Sequence, residues 1–392
     1  MISETLLERL ACPVCLEGSG EADYTTRVRA PEGPDKQRLR REAGALACPS
    51  CGARYAIHPD AGYVDLVPKA SVGEVTQYAD HEFHERLGVS DAPPVLSARV
   101  KADVMRRMLD PRAGEPVLDL GCGAGKLALY AGSGGARSTG VDVAPFFLPR
   151  AAREVDLVRG DLRRLPFRKG AFPRAYTLDV LEHLDEAGVK EVLVEARRVL
   201  GPEGRLFVYT HAMESSRLAS FQRWVNRLAR RLGERGLIDH EREAMRKSDH
   251  VNAIASHEHF EALCAEAGLE VAERRYYNVV FKAVVEDLLL RLFEQWRRRR
   301  ARRAPVGGHD GEPADPRAAA VSAAAGGRGE HAGAAEPPRP RSVGAPPPHR
   351  ALLLVASALT WLLKLDVVLF GGIRTGPFFA LLRPRSDTGK GA

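Results

Sequence analysis

Cysteine is scarce in this chain, six among 392 residues, and the opening stretch MISETLLERLACPVC has no basic segment leading into an apolar one. No secretory leader is therefore expected, and without one, paired cysteines read as metal ligands before disulfides. Long apolar runs are also missing. The best, Ala351–Leu363, meets Lys364 after thirteen residues and Asp366 soon after, short of the roughly 20 that a spanning helix needs. A dinucleotide fingerprint is absent too, because the third glycine of G-x-G-x-x-G would fall on Lys126. Finally, a uniform charge excess is lacking. The net +7 owes much to one dense run, Arg297–Arg300 with Arg302 and Arg303, so it describes a patch that permits nucleic acid or anionic lipid as partner and shows neither.

What is present centres on Val117–Leu129, VLDLGCGAGKLAL. Its apolar start reads as a buried strand that runs through a glycine turn into a helix. Asp119 precedes Gly121, Gly123 and Gly125, which let the backbone turn sharply and approach a ligand where any Cβ would collide. Further strands are expected at Ser138–Val143, ending in Asp142, at Val158–Leu162, carrying Asp161, at the start of Phe172–Leu184, and at Arg205–Thr210. Twenty-three residues separate Asp119 from Asp142, one βαβ step. An acid at that second strand tip can accept hydrogen bonds from ribose hydroxyls.

The pattern acid-x-G-x-G-x-G, the acid at the second strand tip, FPRAYTLDVLEHL and RVLGPEGRLFVYT resemble, in order and spacing, the motifs of class I S-adenosylmethionine-dependent methyltransferases. The resemblance implies a doubly wound α/β fold with a seven-stranded Rossmann-like sheet and S-adenosyl-L-methionine as cofactor. It implies that Gly121, Gly123 and Gly125, with Asp119, lie under the methionine part and ribose, that Asp142 holds the ribose, and that Asp161 and the backbone of Leu162 face the adenine. A strand-end aspartate capping the next helix is the plainer reading of Asp161.

Asp179, Glu182 and His183 are the polar residues in the fourth-strand turn, where the family places substrate-facing groups. In some relatives a similar acid-x-x-Glu-His set holds a divalent metal. His183 is a candidate general base, histidine's ordinary pKa near 6.5 suiting proton removal at neutral pH; capping by Asp179 with a surface Glu-His pair is the structural reading. Asp249 and His250, in an apparent loop, are second candidates for substrate contact. Helices are expected over Gln77–Arg86, where Tyr78 and His81 are candidate cofactor-closing residues, and over Val95–Leu109. The stretch from Ala212 to about Ala255 reads as an insertion bearing a basic amphipathic helix that interleaves six arginines with Phe221, Trp224 and leucines. It suits a lid, a substrate mouth or an anionic membrane surface.

Cys12-Pro-Val-Cys15 and Cys48-Pro-Ser-Cys51 form two matching knuckles. Four thiolates so paired suit a closed tetrahedral structural zinc (Zn2+) site. With their flanks they are similar to the small zinc-ribbon proteins that activate RNA and protein methyltransferases, and to ribbons fused ahead of some bacterial methyltransferases.

The expected organisation is a zinc ribbon over 1–70 and a methyltransferase domain over 71–300. A disordered Ala/Gly/Pro/Arg-rich insertion follows over 301–349. An apolar helix with a last strand over 350–385 then returns to the sheet, a membrane-associated helix being the rival. The expected enzyme transfers a methyl group to a small-molecule or lipid-linked acceptor, since the fourth-strand turn lacks the N/D-P-P-Y/F type motif of amino-group methylation. Ribosomal or transfer RNA methylation, with the ribbon recognising RNA, is the alternative, and a non-catalytic interaction module is a third reading. The expected setting is cytoplasmic, with peripheral contact at the inner membrane face as an extension.

Overall fold

In a computed structural model that describes residues 2–17, 38–67, 91–238, 250–293, 295, 296, 299 and 350–385, the glycine-rich stretch leaves the middle of a single mixed sheet. Its central strand is β5 (Pro116–Leu120). Four of its five residues are buried, as expected for a parallel strand covered on both faces. Around it lie β6 (Arg137–Asp142), β7 (Asp156–Arg159), β8 (Phe172–Leu178) and β9 (Leu200–His211). They stand in the order β7-β6-β5-β8-β9 and are parallel throughout. The chain then adds β10 (Leu269–Tyr276) and β11 (Pro377–Pro384). The later strand, β11, takes the inner slot, antiparallel to β9 on one side and to β10 on the other.

Helices cover both faces. On one, α3 (Leu96–Leu109) turns Val100, Met105 and Leu109 onto Val117, Tyr176, Phe207 and Phe379. Val285 and Leu363 join this face from a short helix α9 (Val280–Val284) continued by a π-helical turn, and from the long α10 (Arg350–Phe370). On the other face, α6 (Glu186–Val199) and α8 (His257–Glu266) bury Val189, Val192, Phe260 and Leu263. Asp185 accepts from the Gly188 N–H at 2.8 Å and Ser256 from the His259 N–H at 3.1 Å, so each helix starts on a side-chain cap.

The ribbon is joined to this sheet rather than strung ahead of it. Strands β1 (Arg40–Glu42), β2 (Ala45–Ala47), β3 (Arg54–His58) and β4 (Tyr63–Asp65) form an antiparallel meander. Its last strand, β4, pairs parallel with β7 in the register Val64↔Val158, which extends the sheet to eleven strands. Ser3 Oγ donates to Asp156 at 2.6 Å, the Ala11 N–H to the Pro166 carbonyl at 2.9 Å, and Leu6, Leu10 and Leu46 share one buried cluster with Leu118, Val158 and Phe167. Beneath the seam, Arg198 and Glu195 are both buried. Arg198 donates to the carbonyls of Phe167 and Leu165, and Glu195 accepts the Leu165 N–H at 2.8 Å. Every guanidinium nitrogen of Arg198 and both carboxylate oxygens of Glu195 thus have a hydrogen-bond partner, the condition under which burying an ion pair is tolerated.

The expected helix over Gln77–Arg86 with Tyr78 and His81, the residue Asp249, most of the arginine run and the 301–349 insertion all fall outside the described residues. No described helix is long and apolar enough to cross a membrane.

Candidate functional site

The carboxyl ends of β5, β6, β7, β8 and β9 converge where ligands bind in open α/β sheets. Gly121, Gly123 and Gly125 all have positive φ, 77°, 51° and 82°. At Gly121 an added Cβ would lie 2.5 Å from Val180 Cγ2, and at Gly125 2.7 Å from the Ala151 methyl, so both conformation and space demand glycine there. The Gly123 N–H donates to Asp142 Oδ2 at 2.7 Å, and the Ala144 N–H to Oδ1 at 2.9 Å. The glycine loop and the acid of the second strand are thus one hydrogen-bonded unit.

Asp161 stands at the end of β7 as the cap of a short 3-10 turn, Leu162–Arg164, accepting from the Arg163 N–H at 2.9 Å and pairing with its guanidinium at 2.8 Å. Leu162 is half-buried beside it. Capping, the plainer reading, is what this geometry displays. Asp119, near the end of β5, lies deep. It is 2% exposed and accepts the Tyr176 hydroxyl at 3.0 Å. Burial pushes its pKa up to about 8; the Tyr176 bond opposes this and the nearby Asp142 carboxylate adds to it. Asp119 supports the loop from below and offers no open carboxylate.

Beyond β8 a second cluster forms. Asp179 takes a left-handed φ of 56°, uncommon outside glycine but most accessible to Asp and Asn. The turn aims its carboxylate at Lys101 on α3, whose ammonium donates to both oxygens at 2.8 and 2.6 Å and sits 4.3 Å from the centre of the Tyr209 ring. Crowding by protein atoms raises the Asp179 pKa, but Lys101, with His211 and His183, outweighs it and the net shift is downward. Its side chain keeps 45% exposure on its open side.

Glu182 and His183 follow in a 3-10 turn, Leu181–His183. The Val251 and Asn252 N–H groups donate to the Glu182 carbonyl at 2.8 and 3.1 Å. This clamp brings His250 edge-on to His183 with ring centres 4.7 Å apart. One donor atom each from Glu182, His183 and His250 falls within 4.8 Å of the others. The Glu182 carboxylate is buried, accepts Thr210 Oγ1 at 3.3 Å and lies 3.6 Å from His211 Nδ1.

The structure therefore brings Gly121, Gly123, Gly125, Asp142, Asp161 and Leu162 to one rim, and Asp179, Glu182, His183 and His250 to the adjoining one. Lys101, Tyr176, Tyr209 and His211 were missed. His211 ends the fifth parallel strand, where the carboxyl-end rule points, so a signal existed for it. Lys101 and Tyr176 meet their partners only through the tertiary fold.

In the ribbon, Cys12, Cys15, Cys48 and Cys51 cluster, with Sγ···Sγ distances of 3.6 Å for Cys12–Cys51 and for Cys15–Cys48. Tetrahedral zinc with Zn–S near 2.3 Å places its sulfurs about 3.8 Å apart, so the set fits that ion. Burial pushes the Cys12 thiol up to about 11, which a bound cation would reverse.

The strand order, the reversed β11 and the glycine-acid rim define the Rossmann-like fold of class I S-adenosylmethionine-dependent methyltransferases. Residues 118–208 match the family model described as a methyltransferase domain, and the chain carries that domain with a cysteine-clustered ribbon on its sheet edge. An uncharacterized methyltransferase of Synechocystis is 35% identical over 94 residues, 23% of this chain and 44% of the relative. A demethylmenaquinone methyltransferase of Corynebacterium kroppenstedtii is 36% identical over 106 residues, 26% of this chain and 44% of the relative. The chain thus spans less than half of either. A solved phosphoethanolamine N-methyltransferase 2 of Haemonchus contortus aligns at a TM-score of 0.41 and 16% identity, over 80% of this chain and 61% of that one.

Proposed function

We propose that this protein is an S-adenosylmethionine-dependent methyltransferase acting on a small, lipid-like acceptor. The observation that carries the cofactor part is the Gly123–Asp142 hydrogen bond of 2.7 Å. It holds a glycine loop open to close backbone approach and, beside it, a carboxylate for a ribose. Gly121, Gly123 and Gly125 would take the cofactor's methionine end, Asp142 its ribose, and Asp161 with Leu162 its adenine. When bound, S-adenosylmethionine supplies an electrophilic sulfonium methyl. Lys101 and Asp179 fix the β8 turn beside that rim, and His183 and His250 form a pair able to accept the proton that an acceptor hydroxyl or amine loses as it is methylated. Cys12, Cys15, Cys48 and Cys51 would hold a structural zinc. Support for a small hydrophobic acceptor comes from the demethylmenaquinone relative and from the apolar helices that contact α3, the element supplying Lys101.

The test is transfer of label from methyl-labelled S-adenosylmethionine into a fractionated host lysate, run beside Asp142→Ala. Label is expected in the organic-soluble fraction. The variant should lose it and bind cofactor about 10- to 100-fold more weakly, the size of a lost charge-assisted hydrogen-bond pair. Label recovered in RNA would replace the acceptor reading. Unchanged cofactor binding by the variant would remove Asp142 from the site.

A further inference from the structure

All three tryptophans of the chain are more than half exposed: Trp224 at 55%, Trp296 at 53% and Trp361 at 65%. Tryptophan is ordinarily among the most buried side chains on average, so three on the outside call for a common cause. They stand on three neighbouring helices. Helix α7 (Ala219–Glu234) packs against α9 and its π-helical turn, and α9 packs against α10. Gln222 donates to the Asn278 carbonyl near the start of α9. At the other end, Gln295 and Arg299 donate to the Gly236 carbonyl at 3.1 and 2.8 Å, so α7 and the segment beginning with α9 run side by side in the same direction.

Each helix turns an apolar stripe outward. On α10, Leu354, Trp361 and Val368 repeat every seventh residue at 72%, 65% and 71% exposure, one face of a helix. Leu363, at 0% exposure, faces the sheet nearly opposite Trp361. A helix apolar both inward and outward in this way is ordinarily covered on both sides. Further on from α9, Leu289, Phe293 and Trp296 are spaced four and three residues apart and exposed, and Phe293 stacks on Trp296 at 5.9 Å. On α7, Phe221 stacks on Trp224 at 6.2 Å. They border an exposed stripe of Arg223, Arg227 and Arg230, spaced four and three residues apart. From Arg217 to Arg235 the chain holds six arginines against one acid, Glu234.

We propose that this helical layer is a membrane-docking face and that its partner is the surface of an anionic lipid bilayer. Tryptophan is suited to the headgroup boundary, its apolar body inward and its indole N–H toward water, and phenylalanine to the apolar side of a helix lying there. The arginine stripe of α7 would meet lipid phosphates while its aromatic border enters the boundary, the arrangement of helices that lie in the interface plane. Aromatics among arginines also suit single-stranded RNA. The aliphatic stripe of α10 decides against it, because Leu354, Val355, Val368 and Leu369 offer no donor, charge or ring to a nucleotide. The face is tied to the reaction rim. Thr360 on α10 accepts the Leu96 N–H of α3 at 2.8 Å, and Glu286 accepts the Ser97 hydroxyl at 2.8 Å. The inference stands independently of the acceptor, since docking requires no methyl transfer.

Because every tryptophan lies on the proposed face, the chain's own fluorescence reports on it. The whole 392-residue chain, without cofactor, is titrated with phosphatidylglycerol vesicles and with phosphatidylcholine vesicles, and co-sedimentation is measured in parallel. A blue shift and co-sedimentation are expected with the anionic vesicles, weakened by salt and much smaller with the zwitterionic ones. The variant carrying Arg223→Gln, Arg227→Gln and Arg230→Gln, all on exposed positions, is expected to partition on the order of 100-fold more weakly. Trp361→Ser should lower partitioning without removing the salt dependence. No shift with anionic vesicles would overturn the proposal, as would a shift that grows with protein concentration alone, which marks self-association. Quenching by single-stranded RNA with no response to vesicles would assign the face to RNA and likewise overturn it.

Discussion

Asp119 shows how a side chain's position can be local while its surroundings are not. Its place at the strand's end is local information, but its partner Tyr176 lies 57 residues away on β8. The folded-state pKa, pushed up to about 8 chiefly by burial, lies above the ordinary carboxylate value near 3.9. The folded state therefore binds a proton that the unfolded chain releases. That contribution to stability is fully present below about pH 4 and is lost as pH rises toward 8, at roughly 1.4 kcal/mol per pH unit. Asp119→Asn keeps the shape and removes the titration. Its unfolding midpoint relative to wild type is expected to rise between pH 5 and 8 in cofactor-free protein, and equal pH slopes for the two would show that the carboxyl is ionised throughout. The glycine turn and the strand-tip place of Asp142 were legible because glycine conformation and a strand end are local properties. Lys101, reaching Asp179 from 78 positions away, carried no such signal, and the clamp that seats His250 is built from backbone N–H groups that any sequence possesses.

At the scale of elements, the ribbon's last strand is the instructive case. The knuckles announced a four-sulfur site, yet nothing in YVD told that β4 would pair with β7. A three-residue strand has too little pattern to declare a partner, and the pairing is fixed by surrounding contacts such as Arg159 with Asp65 at 2.7 Å. The shared edge would make a zinc ion held by the four cysteines and the sheet interdependent. One zinc per chain is expected on release with a thiol-reactive reagent. Its chelation, or Cys48→Ser, should speed amide exchange first in β1–β4 and then in β7, while β9 and β11 stay protected. Loss of protection confined to residues 38–58 would show that the edge pairing stands without the metal. The basic amphipathic helix was legible from its spacing, and it forms as α7. The outward apolar stripe of α10 was not, because a periodic pattern cannot tell which of two apolar sides the sheet will take.

At the scale of the whole molecule, the slot between β9 and β10 is filled from the far end of the chain. A chain stopped at residue 300 would leave two facing strand edges unpaired, the arrangement that invites aggregation. It is expected to be insoluble alone and to become soluble when co-expressed with a separate piece covering 345–392. A soluble, cofactor-binding piece 1–300 would show that β9 and β10 can pair without the inserted strand. The order of strands across the sheet thus differs from their order along the chain, and the difference falls between segments that no local motif connects.

That slot also has a meaning in time. Strands β5 to β9 can begin to pair as soon as they emerge during synthesis, but β10 must wait for β11, which is made about 100 residues later. At 5–20 residues per second that is a delay of roughly 5–20 s. Throughout it the newborn chain carries every residue of its glycine-acid rim while the sheet beside that rim still lacks a strand, so the free edges of β9 and β10 stay open until β11 arrives.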